Sequence, residues 1–213
     1  MKLYTYFRSS AAFRVRIALN LKELEYQPAF VNLLQGDQRG SAYLDTNPQG
    51  LVPALEHDGT TVRQSLAAIE YLDELYPDPP LMPRDAAGRA RVRALALAIA
   101  CDIHPLNNLR VLQYLENTLA CTKEQRLAWY RHWIAEGFGA LERMLATVDT
   151  GEFCHGGTPT LADVTLVPQV FNAERYGCDL SPYPRIRAIN DACLTIAAFR
   201  NAARANQPDA QAV

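Results

Sequence analysis

The feature that most limits the possible folds is a proline-rich stretch, residues 76–83, which carries four prolines in eight positions. Proline lacks a backbone N–H and fixes its own φ angle, so a regular helix or strand does not run through this stretch. Strand-like and helix-like patterns alternate before it, and helix-like patterns follow it. We therefore predict two domains, residues 1–82 and residues 88–213.

The first domain is predicted to be a small α/β sandwich. Short apolar runs predict strands at residues 2–7, 26–33 and 60–63, with a third strand reached at the end of residues 47–56. Helices begin after residue 9 and after residue 64, with apolar positions recurring every three or four residues. The order β-α-β followed by β-β-α is typical of an α/β sandwich.

The second domain is predicted to be all helical. Its first helix has a core-facing stripe formed by Val92, Leu95, Ile99, Ile103 and Leu106. Further helices fit residues 123–145, 161–176 and 183–203. The last residues are rich in Ala, Gln, Asp and Pro, and we expect them to form a loose tail.

Composition excludes several classes of function. A net charge of -2 gives no field that would attract nucleic acid or an anionic membrane, so an anionic substrate must be held by local cations. The five scattered cysteines favour reduced thiols in a cytoplasmic protein over a zinc site or a disulfide framework.

Charged residues interrupt the first twenty positions, so no secretory signal is expected. The longest apolar run, residues 94–101, is far shorter than the ~20 residues of a membrane span.

Three short segments of the first domain carry polar groups that suit an anionic, peptide-like ligand. Ser9 and Ser10 lie at a strand-to-helix turn, residues 64–65 begin another helix, and Val52 precedes Pro53, where a cis bond would be a specific feature. Each segment alone has an ordinary structural explanation as a helix cap or a loop. Together they predict a site where helix N-termini and free backbone groups bind a carboxylate.

Several segments spread over the whole chain resemble zeta-class glutathione transferases. Residues 9–19, SSAAFRVRIAL, are similar to the family signature Ser-Ser-Cys-x-Trp-Arg-Val-Arg-Ile-Ala-Leu. Other similar segments are NPQGLVP at 47–53, QSLAAIEYL at 64–72, TLADVTLVPQ at 160–169, DLSPYP at 179–184 and QPD at 207–209. The chain departs from the signature at two positions, where Ala11 replaces the cysteine and Phe13 replaces the tryptophan.

The resemblance implies a thioredoxin-like N-terminal domain, an all-helical C-terminal domain and a homodimer. It implies glutathione as the cofactor and the isomerisation of maleylacetoacetate, in tyrosine and phenylalanine catabolism, as the activity. Close relatives isomerise maleylpyruvate in aromatic-acid breakdown. In this reaction the glutathione thiolate adds to a cis-enedioic acid, rotation follows, and the thiolate leaves. Because Ala11 carries no thiol, the nucleophile must come from glutathione.

The resemblance also assigns site residues. The implied glutathione contacts are Ser9, Ser10, Val52, Gln64, Ser65, His104, Asn108 and Arg110. A hydroxyl of Ser9 or Ser10 is expected to favour the thiolate, and which of the two does so stays open. His104 and Asn108 are four positions apart, so we expect one helix face to present both. Pro105 between them is expected to break or kink the helix.

Arginine suits the two carboxylates of such a substrate, because its planar fork pairs with a carboxylate and keeps its charge. The candidates are Arg8, next to the expected thiolate, together with Arg110 and Arg175. The motif at 160–163 is predicted to be a capping box that serves folding.

Two other interpretations of the sequence stay open. A glutathione transferase acting mainly by conjugation or dehalogenation would share the cofactor residues without needing several arginines. A binding module without activity would usually lose those residues, and Ser9, Ser10, Gln64 and Ser65 are present here.

Overall fold

A computed structural model describes residues 1–210 of the chain. They divide into two compact units: Met1–Leu81 joined by the chain from Leu194 onward, and Met82–Cys193. The division after Leu81 lies within the proline-rich stretch. The expected domains, 1–82 and 88–213, place the chain from Leu194 onward in the second domain, whereas the structure groups it with the first unit.

The first unit is built on a four-stranded sheet. Its strands are β1 (Lys2–Thr5), β2 (Gln27–Phe30), β3 (Ala54–His57) and β4 (Thr60–Arg63). They lie in the order β2-β1-β3-β4, with β1 parallel to β2 and the other two pairs antiparallel. A parallel pair needs a crossover connection, which helix α1 (Ser10–Leu21) provides.

Two further helices complete the N-terminal part of this unit. Helix α2 (Ser41–Thr46) lies in the connection between β2 and β3, and helix α3 (Ser65–Leu75) follows β4 and packs against α1. Ile17 of α1 and Leu72 of α3 are fully buried, as is Leu3 of β1, so the helices and the sheet share an apolar core. The predicted α/β architecture of the first domain is confirmed.

Three chain segments lie next to one another at one edge of the sheet. The register pairs Tyr4 with Ala54, and Ala54 with Arg63, so the end of β1, the start of β3 and the end of β4 lie side by side. The turn from β1 to α1, the segment before β3 and the start of α3 therefore all adjoin this edge.

Between residues 82 and 193 every regular element is a helix. The α-helices are α4 (Ala86–Leu97), α5 (Leu109–Asn117), α6 (Lys123–Met144), α7 (Leu161–Arg175) and α8 (Pro184–Thr195). Both α6 and α7 begin with a capping box, at Thr122/Gln125 and at Thr160/Asp163. The predicted helices at 123–145 and 161–176, and the predicted capping box, are confirmed.

The chain leaves α geometry between α4 and α5. A π-helical turn spans Ala98–Ile103 and a 3₁₀ helix spans His104–Asn107. Pro105 cannot donate the hydrogen bond that would continue the α-helix, so the predicted break at this proline is confirmed.

The predicted helix at 183–203 is two helices, α8 and α9 (Ala197–Ala202). Ile196 between them has extended backbone angles. The Arg200 guanidinium donates to the carbonyls of Leu194 and Thr195 at 2.7 and 2.5 Å, which satisfies groups that the end of α8 leaves unpaired. This local contact favours the break over a continuous helix.

The C-terminal segment is bound to the first unit. Asn20 and Arg16 of α1 donate to carbonyls of α9 at 3.0 and 3.1 Å. Farther along, the Phe7 N–H donates to a carboxylate oxygen of Asp209 at 2.8 Å. The expectation of a loose tail is therefore wrong as far as residue 210, because polar groups of the first unit take their partners there. Across residues 1–210, no helix combines the length and the apolar composition needed to cross a bilayer.

Candidate functional site

Ser9 is the N-cap of α1. Its backbone is extended, and its Oγ accepts the Ala12 N–H at 3.1 Å. Its own N–H donates to the Tyr6 carbonyl at 2.9 Å, which closes a turn over residues 6–9. A hydroxyl that accepts one hydrogen bond still has a proton to donate, so Ser9 can cap the helix and donate to a ligand atom.

Ser10 is the first residue of α1 and is buried, whereas Ser9 is half-buried. The two adjacent serines thus differ in backbone geometry and in exposure. Ala11 follows within the helix, so this turn contains no protein thiol.

Val52 immediately precedes β3 and forms a cis peptide bond with Pro53. Within residues 1–210, no hydrogen bond engages the backbone N–H or C=O of Val52. The neighbouring Leu51 carbonyl accepts from Tyr43 Oη at 2.6 Å and from Asn47 Nδ2 at 2.7 Å, which fixes the loop. The Val52 backbone is therefore held in place with its hydrogen-bonding groups available to an extended peptide.

Gln64 and Ser65 open helix α3. Gln64 has a φ of 72°, an unusual conformation for a residue with a side chain and one that is enriched at functional sites. Its exposed side chain donates to Gln49 Oε1 at 2.8 Å. The N-cap position of α3 makes no side-chain capping hydrogen bond, unlike that of α1. The first N–H groups of α3 are thus suited to an anion.

A buried arginine supports this second helix start. Arg14 of α1 is 2% exposed, and its Nη1 donates to Ser65 Oγ at 3.3 Å. Its positive charge reinforces the field at the N-terminus of α3. Sequence reasoning missed both Arg14 and Gln49, since each becomes relevant through a partner 51 or 15 residues away.

Arg8 lies in the same turn as Ser9. Its guanidinium lies 4.9 Å from the centre of the Phe7 ring, and its Nε is buried without a hydrogen-bond partner in the described structure. A buried guanidinium nitrogen without a partner is costly, and an anion placed there would satisfy it.

The predicted site residues of the second unit belong to three different elements. His104 is the first residue of the 3₁₀ helix, and Arg175 is exposed at the end of α7. Arg110 is exposed in the first turn of α5, where a positive charge opposes the helix dipole. That unfavourable placement indicates a use other than stabilising α5.

Asn108 is the N-cap of α5, and its Oδ1 accepts the Arg110 N–H at 3.2 Å. Its extended backbone separates the 3₁₀ helix from α5. The expectation that His104 and Asn108 share one helix face is therefore wrong, because the break at Pro105 removes the regular spacing on which it depends.

Three of the protein's five cysteines are poor nucleophiles, because their thiols are hard to ionise. All five cysteines are free, and Cys154 and Cys193 are buried. Burial raises the pKa of both thiols, and it also raises the pKa of Cys178. No group of three or more potential metal-binding side chains lies together in the part of the chain that the structure describes.

Comparisons with known proteins agree with this geometry. Residues 1–74 match the family model of the glutathione S-transferase N-terminal domain, and residues 128–189 match that of the C-terminal domain. The maleylacetoacetate isomerase of Pseudomonas aeruginosa is 49% identical over 100% of both chains.

Two solved structures are also similar. A holo maleylpyruvate isomerase, described as a bacterial zeta-class glutathione S-transferase, has a TM-score of 0.96 at 49% identity, covering 98% of this chain and 99% of its own. The maleylacetoacetate isomerase of Methylobacterium extorquens AM1, solved with malonate and glutathione, has a TM-score of 0.95 at 39% identity, with 98% and 99% coverage. The chain, with its α/β N-terminal unit and its helical second unit, therefore belongs to the zeta class of the glutathione S-transferase family.

Proposed function

We propose that this protein is a glutathione-dependent cis–trans isomerase of a cis-enedioic diketo acid, with maleylacetoacetate as its substrate. The observation that carries the proposal is the convergence, at one edge of the sheet, of the Ser9 turn, the Val52 backbone and the start of α3. The name of a relative that is 49% identical over the whole chain supports the same reaction, and a solved relative named for maleylpyruvate supports isomerisation of this substrate class.

The residues of the first unit fit glutathione. The N–H groups at the start of α3, with Gln64 and Ser65, would bind the γ-glutamyl carboxylate. The unengaged Val52 N–H and C=O would pair with the cysteinyl unit as an added strand does. That pairing would direct the sulfur towards the neighbouring turn at Ser9 and Ser10.

Glutathione, when bound, supplies a thiolate that adds to the conjugated double bond and leaves again, which allows rotation from the cis to the trans form. Of the two candidate serines we favour Ser9 as the donor to this sulfur. Its oxygen already accepts the Ala12 N–H, so its proton is directed away from the helix. A hydrogen bond to the charged sulfur favours the thiolate over the thiol.

The arginines are assigned to the substrate. Arg8 would hold one carboxylate and would place positive charge where negative charge develops on the substrate during addition. Arg110 and Arg175 are proposed as further carboxylate-binding residues, and His104 and Asn108 as further glutathione contacts. Each of these second-unit assignments is testable by substitution.

The homodimer implied by the resemblance and the cytoplasmic location expected from the cysteines also stay proposals. Sedimentation equilibrium of the purified protein would test the first, and fractionation of cells that express it would test the second. A dimer of about twice the 23.7 kDa chain mass is expected.

The substrate is tested by measuring kcat/KM for maleylacetoacetate and maleylpyruvate, each with and without glutathione. We expect turnover that depends on glutathione, with the higher kcat/KM on maleylacetoacetate. A preference for maleylpyruvate would favour the alternative supported by the name of a solved relative.

The same protein should be assayed with a halogenated acid. If dehalogenation were faster than isomerisation of either diketo acid, the proposal would be wrong in favour of a conjugating transferase. If calorimetry detected no glutathione binding, the protein would be a binding module of the same fold.

A further inference from the structure

The turn that carries Arg8 and Ser9 is held by a residue 202 positions away from Phe7. In the turn over residues 6–9, the Tyr6 carbonyl accepts the Ser9 N–H, and the Phe7 N–H has no role in closing the turn. That N–H instead donates to Asp209 Oδ2 at 2.8 Å. A carboxylate acceptor makes this a charge-assisted hydrogen bond to the backbone.

A second contact holds the other side of the same turn. Arg16 is fully buried, and its Nη1 donates to Thr5 Oγ1 at 2.9 Å and to the Tyr6 carbonyl at 3.4 Å. Its Nε donates to the carbonyl of Ala202, at the end of α9. The Tyr6 carbonyl thus accepts from the turn itself and from a guanidinium that is anchored to the C-terminal segment.

Three arginines lie near this turn, and one of them interacts with the Asp209 carboxylate. Arg16 interacts electrostatically with the Asp209 carboxylate, and burial lowers the pKa of Arg16 to about 10, so it stays charged at neutral pH. The guanidinium groups of Arg8 and Arg204 lie 4.9 and 5.7 Å from the centre of the Phe7 ring. Tyr26 also interacts electrostatically with both Arg16 and Asp209.

The C-terminal segment is itself braced. Gln207 is buried, and its Nε2 donates to the carbonyls of Asn201 and Ala203 at 3.0 and 3.1 Å. Ala210 packs against the apolar cluster that includes Phe7 and Val52. Asp209 is therefore held on a fixed support, which a residue that positions another must have.

We propose that Asp209 is a positioning residue for the proposed glutathione reaction: by holding the Phe7 N–H, it fixes the turn that presents the Ser9 hydroxyl and Arg8. Asp209 touches neither substrate nor sulfur in this role and acts through Ser9. The inference rests on the proposed function, and its test begins from wild-type protein with measured glutathione binding and isomerase activity. If the wild type lacks these, the proposed function fails before Asp209 is tested.

The primary test compares Asp209→Ala with Asp209→Asn. The alanine variant loses the acceptor, so we expect the pKa of the bound glutathione thiol to rise and kcat/KM at neutral pH to fall by about tenfold. The affinity for glutathione should change little, because Val52 and the start of α3 are untouched. The asparagine variant keeps an oxygen that can accept the Phe7 N–H, so the thiol pKa and kcat/KM should stay close to wild type.

The matched control is Gln207→Ala, which removes a buried side chain of the same segment whose amide donates to Asn201 and Ala203 and not to the turn. This variant should lower the thermal midpoint and leave the thiol pKa unchanged. If Asp209→Ala also lowered only the thermal midpoint, the residue would be structural and the proposal wrong.

A double-mutant cycle tests whether Asp209 acts through Ser9. In a Ser9→Ala background, Asp209→Ala should produce no further rise in the thiol pKa. Additive shifts would overturn the proposed route. Should the alanine variant not fold, hydrogen exchange of the Phe7 amide in the wild type gives an independent test. Protection is expected, and exchange as fast as in an unfolded peptide would contradict the proposal.

Discussion

Ser9 accepts the Ala12 N–H on its oxygen and keeps its hydroxyl proton for another partner. This is how one residue serves both folding and the proposed chemistry, and it explains why the helix-cap interpretation and the catalytic interpretation of the sequence do not exclude each other. Gln64 is a second example. Gln64 has a positive φ and precedes α3 without a side-chain cap, which leaves the first N–H groups of α3 for a ligand.

Arg8 is proposed to hold a substrate carboxylate, and its substitution tests that role. Arg8→Ala should raise the KM for the diketo acid by about tenfold or more, because it removes a charge-assisted contact to a carboxylate. The dissociation constant for glutathione should change by less than about twofold. Arg8→Lys keeps the charge without the planar fork, so its KM for the diketo acid should lie between those of the wild type and Arg8→Ala.

Steady-state kinetics gives the KM for the diketo acid, and calorimetry on the same preparations gives the dissociation constant for glutathione. Arg110→Ala is expected to behave in the same way. Equal losses of glutathione binding and isomerisation in these variants would exclude a carboxylate-holding role.

At the scale of elements, a glycine allows α6 to approach the π-helical turn closely. A Cβ at Gly137 would overlap the side chain of Ile103, which is buried at the end of that turn. A Cβ at Gly139 on the same helix would meet no atom within 4 Å. The two glycines therefore form a matched pair with the same helix propensity and different surroundings.

Gly137→Ala should destabilise the protein by about 1–3 kcal/mol, the usual cost of overpacking a buried contact. Gly139→Ala should stabilise it by roughly 0.5–1 kcal/mol through the better helix propensity of alanine. Urea denaturation of both variants measures the difference, and equal shifts in the midpoint would contradict the packing described for Ile103.

The two capping boxes make a second comparison between elements. Asp163 is fully buried and accepts from the N–H groups of Cys154 and Thr160 and from the Thr160 hydroxyl, all within 2.8 Å. Gln125 has the equivalent place at the start of α6, where its hydrogen bond to the Thr122 N–H is exposed.

Asp163→Ala should cost about 3–5 kcal/mol, because it leaves several buried donors without partners. Gln125→Ala should cost about 1 kcal/mol or less, since water can replace its oxygen. Chemical denaturation of the two variants is the measurement. Similar costs would mean that burial does not govern the strength of this motif.

Over the whole molecule, local patterns in the sequence predicted the strands and the main helices. They did not predict where the C-terminal segment lies, because its contacts join Arg16 to Ala202 and Phe7 to Asp209 across 186 and 202 residues. Nothing in the composition of the tail signals such partners.

The candidate site shows the same limit. The cap at Ser9 follows from local rules, whereas the bond from Arg14 to Ser65 depends on how two helices pack. The spacing of His104 and Asn108 led to the wrong expectation of a shared face, because a shared face requires a continuous helix. Spacing predicts neighbours within an intact element, and it fails where an element ends.

In the proposed mechanism, the turn between β1 and α1 activates the thiol of glutathione through Ser9. The direct test is an ultraviolet titration of the thiolate of bound glutathione, in the wild type and in Ser9→Ala, with Ser9→Thr as the control that keeps both the hydroxyl and the cap. We expect the bound thiol of the wild type and of Ser9→Thr to titrate below the ~8.5 of an ordinary thiol, and that of Ser9→Ala to return towards it. An unchanged thiol pKa in Ser9→Ala would contradict this role of Ser9.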